Sequence, residues 1–367
     1  MQTFDAFARA DGWVSAADAF RDDFAAGNRV QAAPWGGLAI LGHGELLSLA
    51  RNPLADGMAP DAAAMADTPR LYRLLSRALF TKSGPAHRTE RAASIEAFNT
   101  VPLAEVIDDT VRRAAPFGPA EVDLRSGLIA PITLSVWKAV VGYDADAIKR
   151  LETALLDLGH LLSPNPDPTK AHLADKAAEE IRDLSLGALD TGTPFSRCLR
   201  TRVGDDLAAD LIAGMTFDAV DTATVGIDAA LRIAIAHRDK VKPTAQCASE
   251  CLRLASSTPM TMRMTTGEIN LGNLTIEAGT VLSMIWAAGN HDPLVFRAPE
   301  KFDPGRGSVR PLMFGMGQHS CLGHVIVRAT LLRLLEFMEQ RGPVFEGDPG
   351  GWNPLGPNYL PPIRVLL

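Results

Sequence analysis

The segment Phe314-Gly315-Met316-Gly317-Gln318-His319-Ser320-Cys321-Leu322-Gly323 concentrates the side chains best suited to chemistry. It runs straight into the apolar helical pattern Val325 to Met338, so Cys321 sits where a helix begins. A thiol placed there feels the positive end of the helix dipole and nearby backbone N–H donors, which lower its pKa and keep the sulfur ionised. Such a sulfur is ready to bind a metal or to attack an electrophile. Gly317 and Gly323 let the backbone take tight conformations and approach a bulky planar group, while Phe314 can pack on that group's face. His319, two residues before the cysteine, can donate to an anionic substituent. For an isolated cysteine, burial in a Gly-rich turn is the plainer explanation. Fixing Phe, Gly, His, Cys and Gly at these spacings has a chance of roughly 10⁻⁷ per window, or about 10⁻⁵ over the chain, which favours a built site.

These ten residues resemble the haem-binding loop of the cytochrome P450 family, F-x-x-G-x-H/R-x-C-x-G. The resemblance implies haem b as cofactor, with Cys321 as the axial thiolate of its iron, Phe314 shielding the proximal face and His319 bonded to a propionate. Glu250 and Arg253 match the family's E-x-x-R pair, which locks the core beneath the haem. On their own, charges at i and i+3 are a surface ion pair of small worth. The third, basic member of that network is open between Lys301, in Pro299-Glu300-Lys301-Phe302, and Arg297 or Arg306. Lysine lacks the bidentate fork of arginine. His87 and Arg91 match the family's H-x-x-x-R, and Arg263 matches the arginine that usually reaches a propionate. Buried propionates need such partners, because an unpaired interior charge is expensive.

Asp221-Thr222 resembles the family's acid–alcohol pair, which implies proton delivery during oxygen activation. In most helices the threonine would bond a carbonyl one turn back and the aspartate would face solvent. The distance from Thr222 to His237-Arg238-Asp239 fits the family, whereas a frame through Ala213-Gly214 would put Phe217 at the alcohol position. Asp218, one turn before Thr222, stands where the family keeps a small residue. It either pairs with a cationic or hydroxylated substrate or bonds a neighbouring polar group or water.

The elements that must hold these residues are legible in outline. Residues 14–27 and 44–52 read as amphipathic helices, with a hairpin between them at Arg29–Ala33 and Gly37–Leu41. Helical periodicity dominates from about 68 to 240, and Asp205–His237 lacks proline and can run as one helix. A second helix lies near 244–256. Thr261–Thr265, Ile269–Leu271, Leu274–Ile276 and Thr280–Ile285 alternate as hairpin strands, and Ile363–Leu367 adds a last one. The expected fold is mainly α with a small β lobe. It is a single cytochrome P450 domain over 1–367, with a β-rich lobe from about 28–42, 261–286 and 360–367, and a helical lobe from about 68–256 and 322–340. The resemblance puts the haem between the long central helix and the cysteine-loop helix.

Composition narrows the function. Thirty-six basic against 43 acidic side chains leave a net charge of −7, which argues against a nucleic-acid surface. Charges interrupt every apolar run in the first 30 residues, so no signal peptide or membrane anchor is expected there, and the cytoplasm is the expected compartment. Four cysteines in 367 residues are too few for a disulfide framework, and Cys198, Cys247 and Cys251 read as ordinary helical or core thiols. The resemblance implies a monooxygenase that takes O2, a small organic substrate and electrons from a ferredoxin-like donor and its reductase. Arg88, Arg328 and Arg333 are basic anchors for that donor. The alternatives are a peroxide-driven relative, which would tend to lose Asp221-Thr222, and a catalytically silent haem-containing ligand binder, which would tend to lose Cys321.

Overall fold

The computed structural model describes residues 19–114, 121–162, 167–307, 310–349 and 362–366. In chain order it runs α1 (Arg21–Ala25), β1 (Val30–Ala32), β2 (Leu38–Ile40), α2 (His43–Arg51), β3 (Ala55–Asp56), α3 (Pro69–Arg77), α4 (Gly84–Asn99), α5 (Leu103–Ala114) and β4 (Glu121–Asp123). A π-helical turn, Leu124–Ile129, leads into α6 (Ala130–Val141), α7 (Ala145–Leu162), α8 (Ala171–Ala188), α9 (Pro194–Val203) and α10 (Asp205–Ala236). Then come α11 (Ala245–Ala255), β5 (Thr261–Thr265), β6 (Ile269–Leu271), β7 (Leu274–Ile276), β8 (Val281–Met284), α12 (Trp286–Gly289), α13 (His324–Arg341), β9 (Val344–Glu346) and β10 (Arg364–Leu366). The protein is mostly helical with small sheets, as expected. Of the helix expected over 14–27, residues 14–18 lie outside the described residues and the rest contributes only α1.

The chain divides into two compact units. One combines the residues up to Asp56 with Val111–Ile129 and the chain from Thr222 onward; the other combines Gly57–Thr110 with Ala130–Asp221.

In the first unit a five-stranded sheet, in the order β1-β2-β8-β5-β3, joins strands from early and late in the chain. β2 runs parallel to β8, with Leu38 opposite Leu282, while the other pairs are antiparallel. Leu282 and Met284 are fully buried because β8 is the middle strand, and they pack with Ile40, Leu46, Leu49 and Trp286. The last strand, β10, forms a separate three-stranded sheet between β4 and β9. A buried aspartate ties the π turn to the long helix: Asp228 accepts from Arg125 Nε at 2.8 Å and from Arg232 Nε at 2.9 Å.

In the second unit α8 packs on α7 and α3, and α9 packs on α4. Proline in the first turn of α3, α4 and α9 starts each helix where its missing N–H costs nothing. Arg73 and Arg182 converge on Asp210, each with Nε within 3.0 Å, and so join α3 and α8 to the start of α10. Tyr143 is buried, with its hydroxyl 2.8 Å from Ser185 Oγ and 2.9 Å from Thr216 Oγ1, and burial pushes its pKa up to about 12. Trp137 Nε1 also donates to Thr216, at 2.8 Å. Ser185 and Thr216 each reach a carbonyl one turn back as well, so Tyr143→Phe is expected to cost only about 1–2 kcal/mol, read as a lower urea midpoint.

The stretch Leu124–Val141 is long and apolar enough to cross a membrane, but over half of it is buried inside the protein, as in the core helix of a soluble fold.

Candidate active site

The cysteine loop consists of two 3₁₀ turns, Leu312–Phe314 and Gly317–His319, ahead of α13. The N–H of Cys321 donates to Phe314 O at 2.7 Å and closes the loop. His324 Nδ1 lies 2.9 Å from Cys321 O, and its ring tilts against Phe314. Gly317 has φ +69°, and a Cβ there would stand 2.0 Å from Ala50 O, so only glycine lets the loop lie back on the end of α2. Gln318 reaches Asp56 at 3.3 Å. These contacts fix Cys321 as a half-buried thiol, in no disulfide, just ahead of the helix.

Beneath the loop lies a buried ionic cluster. Arg253 is fully buried and donates through Nε and one terminal nitrogen to both oxygens of Glu250, each at 2.8 Å. Its other nitrogen donates to Asn290 O at 2.7 Å and Pro299 O at 2.8 Å. The third basic partner is Arg306, whose Nε lies 3.2 Å from Glu250 Oε1. Lys301 and Arg297 lend only their carbonyls to the two arginines. Asn290 carries the cluster up to the loop: it donates to Ser256 Oγ at 2.7 Å and accepts from Leu312 N–H at 2.9 Å. Its neighbour His291 is buried, and that burial, with Arg253 close by, pushes its pKa down to about 3, so it stays neutral.

Two further features bear on what the loop can hold. Arg263, on β5, is almost fully buried; loss of solvent lowers its pKa to about 10, partly offset by the field of Asp56. Its guanidinium donates to Met262 O at 2.8 Å but forms no ion pair among the described residues. A desolvated cation of this kind fits an incoming anion. The second feature is on α10. Residues 208–214 and nearly all of 224–234 are buried, yet between them Asp218, Asp221 and Thr222 are exposed. Thr222 shares its face with Gly226, one turn on, where a Cβ would stand 2.9 Å from Ser257 Oγ and 3.4 Å from Met313 Cε, beside Phe314.

Asp218 has accessible surface, yet protein surrounds it closely enough that desolvation pushes its carboxyl up to about 6. In the second unit His87 is fully buried on α4, with Arg91 half-buried one turn on. The first unit therefore gathers Phe314, Gly317, His319, Cys321, Gly323, Arg263, Glu250, Arg253 and Thr222; His87, Arg91, Asp218 and Asp221 belong to the second.

The remaining thiols differ from expectation in one respect. Cys247 and Cys251 are both buried one turn apart on α11, and a hydrogen bond from Cys251 lowers the Cys247 pKa to about 7 while raising that of Cys251.

Among the described residues no three His, Cys, Asp or Glu side chains cluster to hold a metal ion directly. A single loop thiolate suits a metal that brings its other ligands with it, and the buried Arg263 suits a carboxylate on the same group. Haem meets both requirements, and the class these features define is that of haem-thiolate proteins.

Comparison with known proteins agrees. A family model described as Cytochrome P450 matches residues 219–338, which hold Thr222, the Glu250–Arg253 pair and the cysteine loop. The chain is 36% identical over 94 residues to the biotin biosynthesis cytochrome P450 of Bacillus subtilis (strain 168), covering 26% of this chain and 24% of that protein. It is 26% identical over 308 residues to the putative cytochrome P450 133B1 of Xylella fastidiosa (strain 9a5c), covering 76% and 75%. Its fold is shared with P450BioI, solved in complex with an acyl carrier protein bearing hexadec-9Z-enoic acid, at TM-score 0.82 and 17% identity over 96% of this chain and 99% of that one. The Tepidiphilus thermophilus P450 heme domain gives TM-score 0.75 and 19% identity over 96% and 93%. The chain is thus similar to cytochromes P450 over residues 219–338 and shares the fold of P450 heme domains, a likeness that implies a haem cofactor held by a cysteine thiolate.

The sequence pointed to most of the cluster but not to Asn290 as its bridge or to Arg306 over its rivals. The signal for Asn290 was its place in Ala287–Pro293; for Arg306 it was arginine's fork, with nothing in the spacing to choose it over Arg297.

Proposed function

We propose that the chain is a monooxygenase that converts a small organic substrate RH, with O2, two electrons and two protons, to ROH and water. The haem, when bound, supplies the electron storage and the oxygen-activating chemistry. Cys321 would hold the haem iron through its thiolate, Phe314 would cover the group beside it, and Gly317 and Gly323 would let the loop lie close. Arg263, His319, His87 and Arg91 would hold the two carboxylates of haem b, which would be costly to bury without partners. The Thr222 hydroxyl passes on a proton, directly or through one water, and Asp221 resupplies it. Asp218 faces the substrate. Electrons come from a separate ferredoxin-like protein and its reductase, whose acidic surface meets Arg88, Arg328 and Arg333, and the protein works in the cytoplasm.

The observation that supports this reading is Thr222, exposed on α10 one turn before Gly226, where a Cβ would stand 3.4 Å from Met313 Cε beside the cysteine loop. Thr222→Ala is the test. Holoprotein with an unchanged reduced carbon monoxide spectrum is expected to keep consuming O2 and reductant but to form product about 10²-fold more slowly, releasing peroxide instead. Unchanged coupling would remove Thr222 from the proton path. Turnover with hydrogen peroxide and none with any reductase would replace the monooxygenase by a peroxygenase.

A further inference from the structure

We infer that Asp292 is a positioning residue for the thiolate: it fixes helix α2, against which the cysteine loop is seated. This rests on the haem-thiolate reading and deepens it by naming a residue outside the loop that sets how firmly Cys321 is held.

Helix α2 begins at His43, and its N-cap residue is Gly42, which has no side chain to cap it. The cap comes from 249 residues further along the chain. Asp292 is only 2% exposed, and its Oδ2 accepts the His43 N–H at 3.0 Å. Its Oδ1 accepts from Arg29 Nη1 at 2.8 Å and from the Leu294 N–H at 3.0 Å. A carboxylate suits this place in two ways: its charge lies at the positive end of α2, and both of its oxygens accept. Asparagine would have to turn its NH2 either on the His43 N–H or on the two donors at the other oxygen, so one half of the site would be lost.

The far end of α2 carries the loop. A Cβ on Gly317 would come within 2.0 Å of Ala50 O and 3.2 Å of the Arg51 Cα, so the loop backbone lies directly on the helix end. Nearer the cap, Leu46 of α2 and Leu312 at the start of the loop meet over Gly289, where a Cβ would stand 2.5 Å from one side chain and 2.7 Å from the other. Leu46, Leu49 and Leu312 share one buried cluster, and Met316 packs against it. A helix of nine residues is a stiff rod of about 13 Å, so a change of tilt at the capped end reaches the seat of Gly317. Asn290 fixes where the loop starts, through the Leu312 N–H, and Asp292, acting through α2, fixes what lies behind its turn. The bond from Cys321 N–H to Phe314 O closes the loop around that turn and depends on both.

The test is hydrogen exchange, read by mass spectrometry on the full chain with and without haem, in Asp292→Asn and Arg29→Gln. Asp292→Asn is expected to speed exchange about tenfold or more in peptides covering 43–51 and 312–323, the effect of losing a bond to a charged acceptor, while peptides from α8 and α9 change less than about twofold. At equal haem content its reduced carbon monoxide complex should also show a larger undisplaced Soret fraction than the wild type. Arg29→Gln leaves both N–H groups their acceptors and is expected to hold exchange in 312–323 within about twofold of the wild type. Unchanged exchange in 312–323 on Asp292→Asn overturns the inference. So does a speeding spread evenly over the chain, which would make Asp292 a structural residue only, and so does an Arg29→Gln variant that loosens the loop as much. If Asp292→Asn does not fold, His43→Pro decides: it removes the capped N–H at a helix position that tolerates proline, and exchange in 312–323 must rise there too. A wild type lacking the displaced Soret band would sink the haem-thiolate reading; with that band present and the loop unmoved, only the role of Asp292 falls.

Discussion

Cys321→Ala is expected to abolish the red-displaced Soret band of the reduced carbon monoxide complex and all reductant-driven product formation. The reason is local. Cys321 is the one thiol in the loop; of the other three, Cys247 and Cys251 are buried on α11 and Cys198 belongs to α9. The fold should barely respond. The half-buried side chain contributes little packing, and the N–H bond that closes the loop on Phe314 is a backbone bond that alanine keeps. The expected change in urea-unfolding free energy is within about 1 kcal/mol, typical of a change away from the core. A variant that retained the displaced band would show that the sulfur is not the ligand, and the site assignment would fall with it.

Arg253→Ala is expected to act in the opposite way, by destroying the fold that holds the loop. Arg253 is fully buried, satisfies both oxygens of Glu250 and three backbone carbonyls, and lies over the ring of Phe296 at 5.0 Å. Removing it leaves Glu250, 2% exposed, with Arg306 as its remaining cation, and strands the carbonyls of Asn290 and Pro299. Breaking a buried pair from one side costs about 3–5 kcal/mol, a large part of the 5–15 kcal/mol that a domain typically has. The measurement is the urea midpoint of the apoprotein together with the haem content on purification, both of which should drop sharply. Arg253→Lys keeps the charge but loses the fork, and should recover only part of the loss. A cost below about 1 kcal/mol would mean that the cluster is ornamental.

Both residues stand in motifs that the amino-acid order displays by itself. Cys321 and its glycines are separated by fixed short spacings, and a loop of that kind announces itself locally. So do α10, α11 and the β6–β7 hairpin, whose periodicity or turn residues lie within one segment. Where the sequence leaves choices open, the deciding geometry is long-range. Lys301, Arg297 and Arg306 are equivalent by distance along the chain. Only the path of the loop, with Ala298 at φ +48°, brings the Arg306 guanidinium to Glu250 while turning Lys301 and Arg297 so that only their carbonyls face the cluster. β3, β4 and β9 are two or three residues long, too short for any alternation to be detected, and exist because a partner strand is waiting. Asp218 is visible in the sequence as an odd residue, but its environment, enclosed and yet accessible, depends on residues far away along the chain.

The parallel pairing of β2 with β8 also has a consequence for how the protein is born. On the ribosome the N-terminal hairpin emerges early, but its neighbour in the sheet follows roughly 240 residues later, a delay of about 10 s or more at ordinary synthesis rates. Through that interval the open edge of β2 has no strand to lean on. Slower synthesis is therefore expected to raise the share of chains recovered soluble, measured as soluble yield against induction temperature.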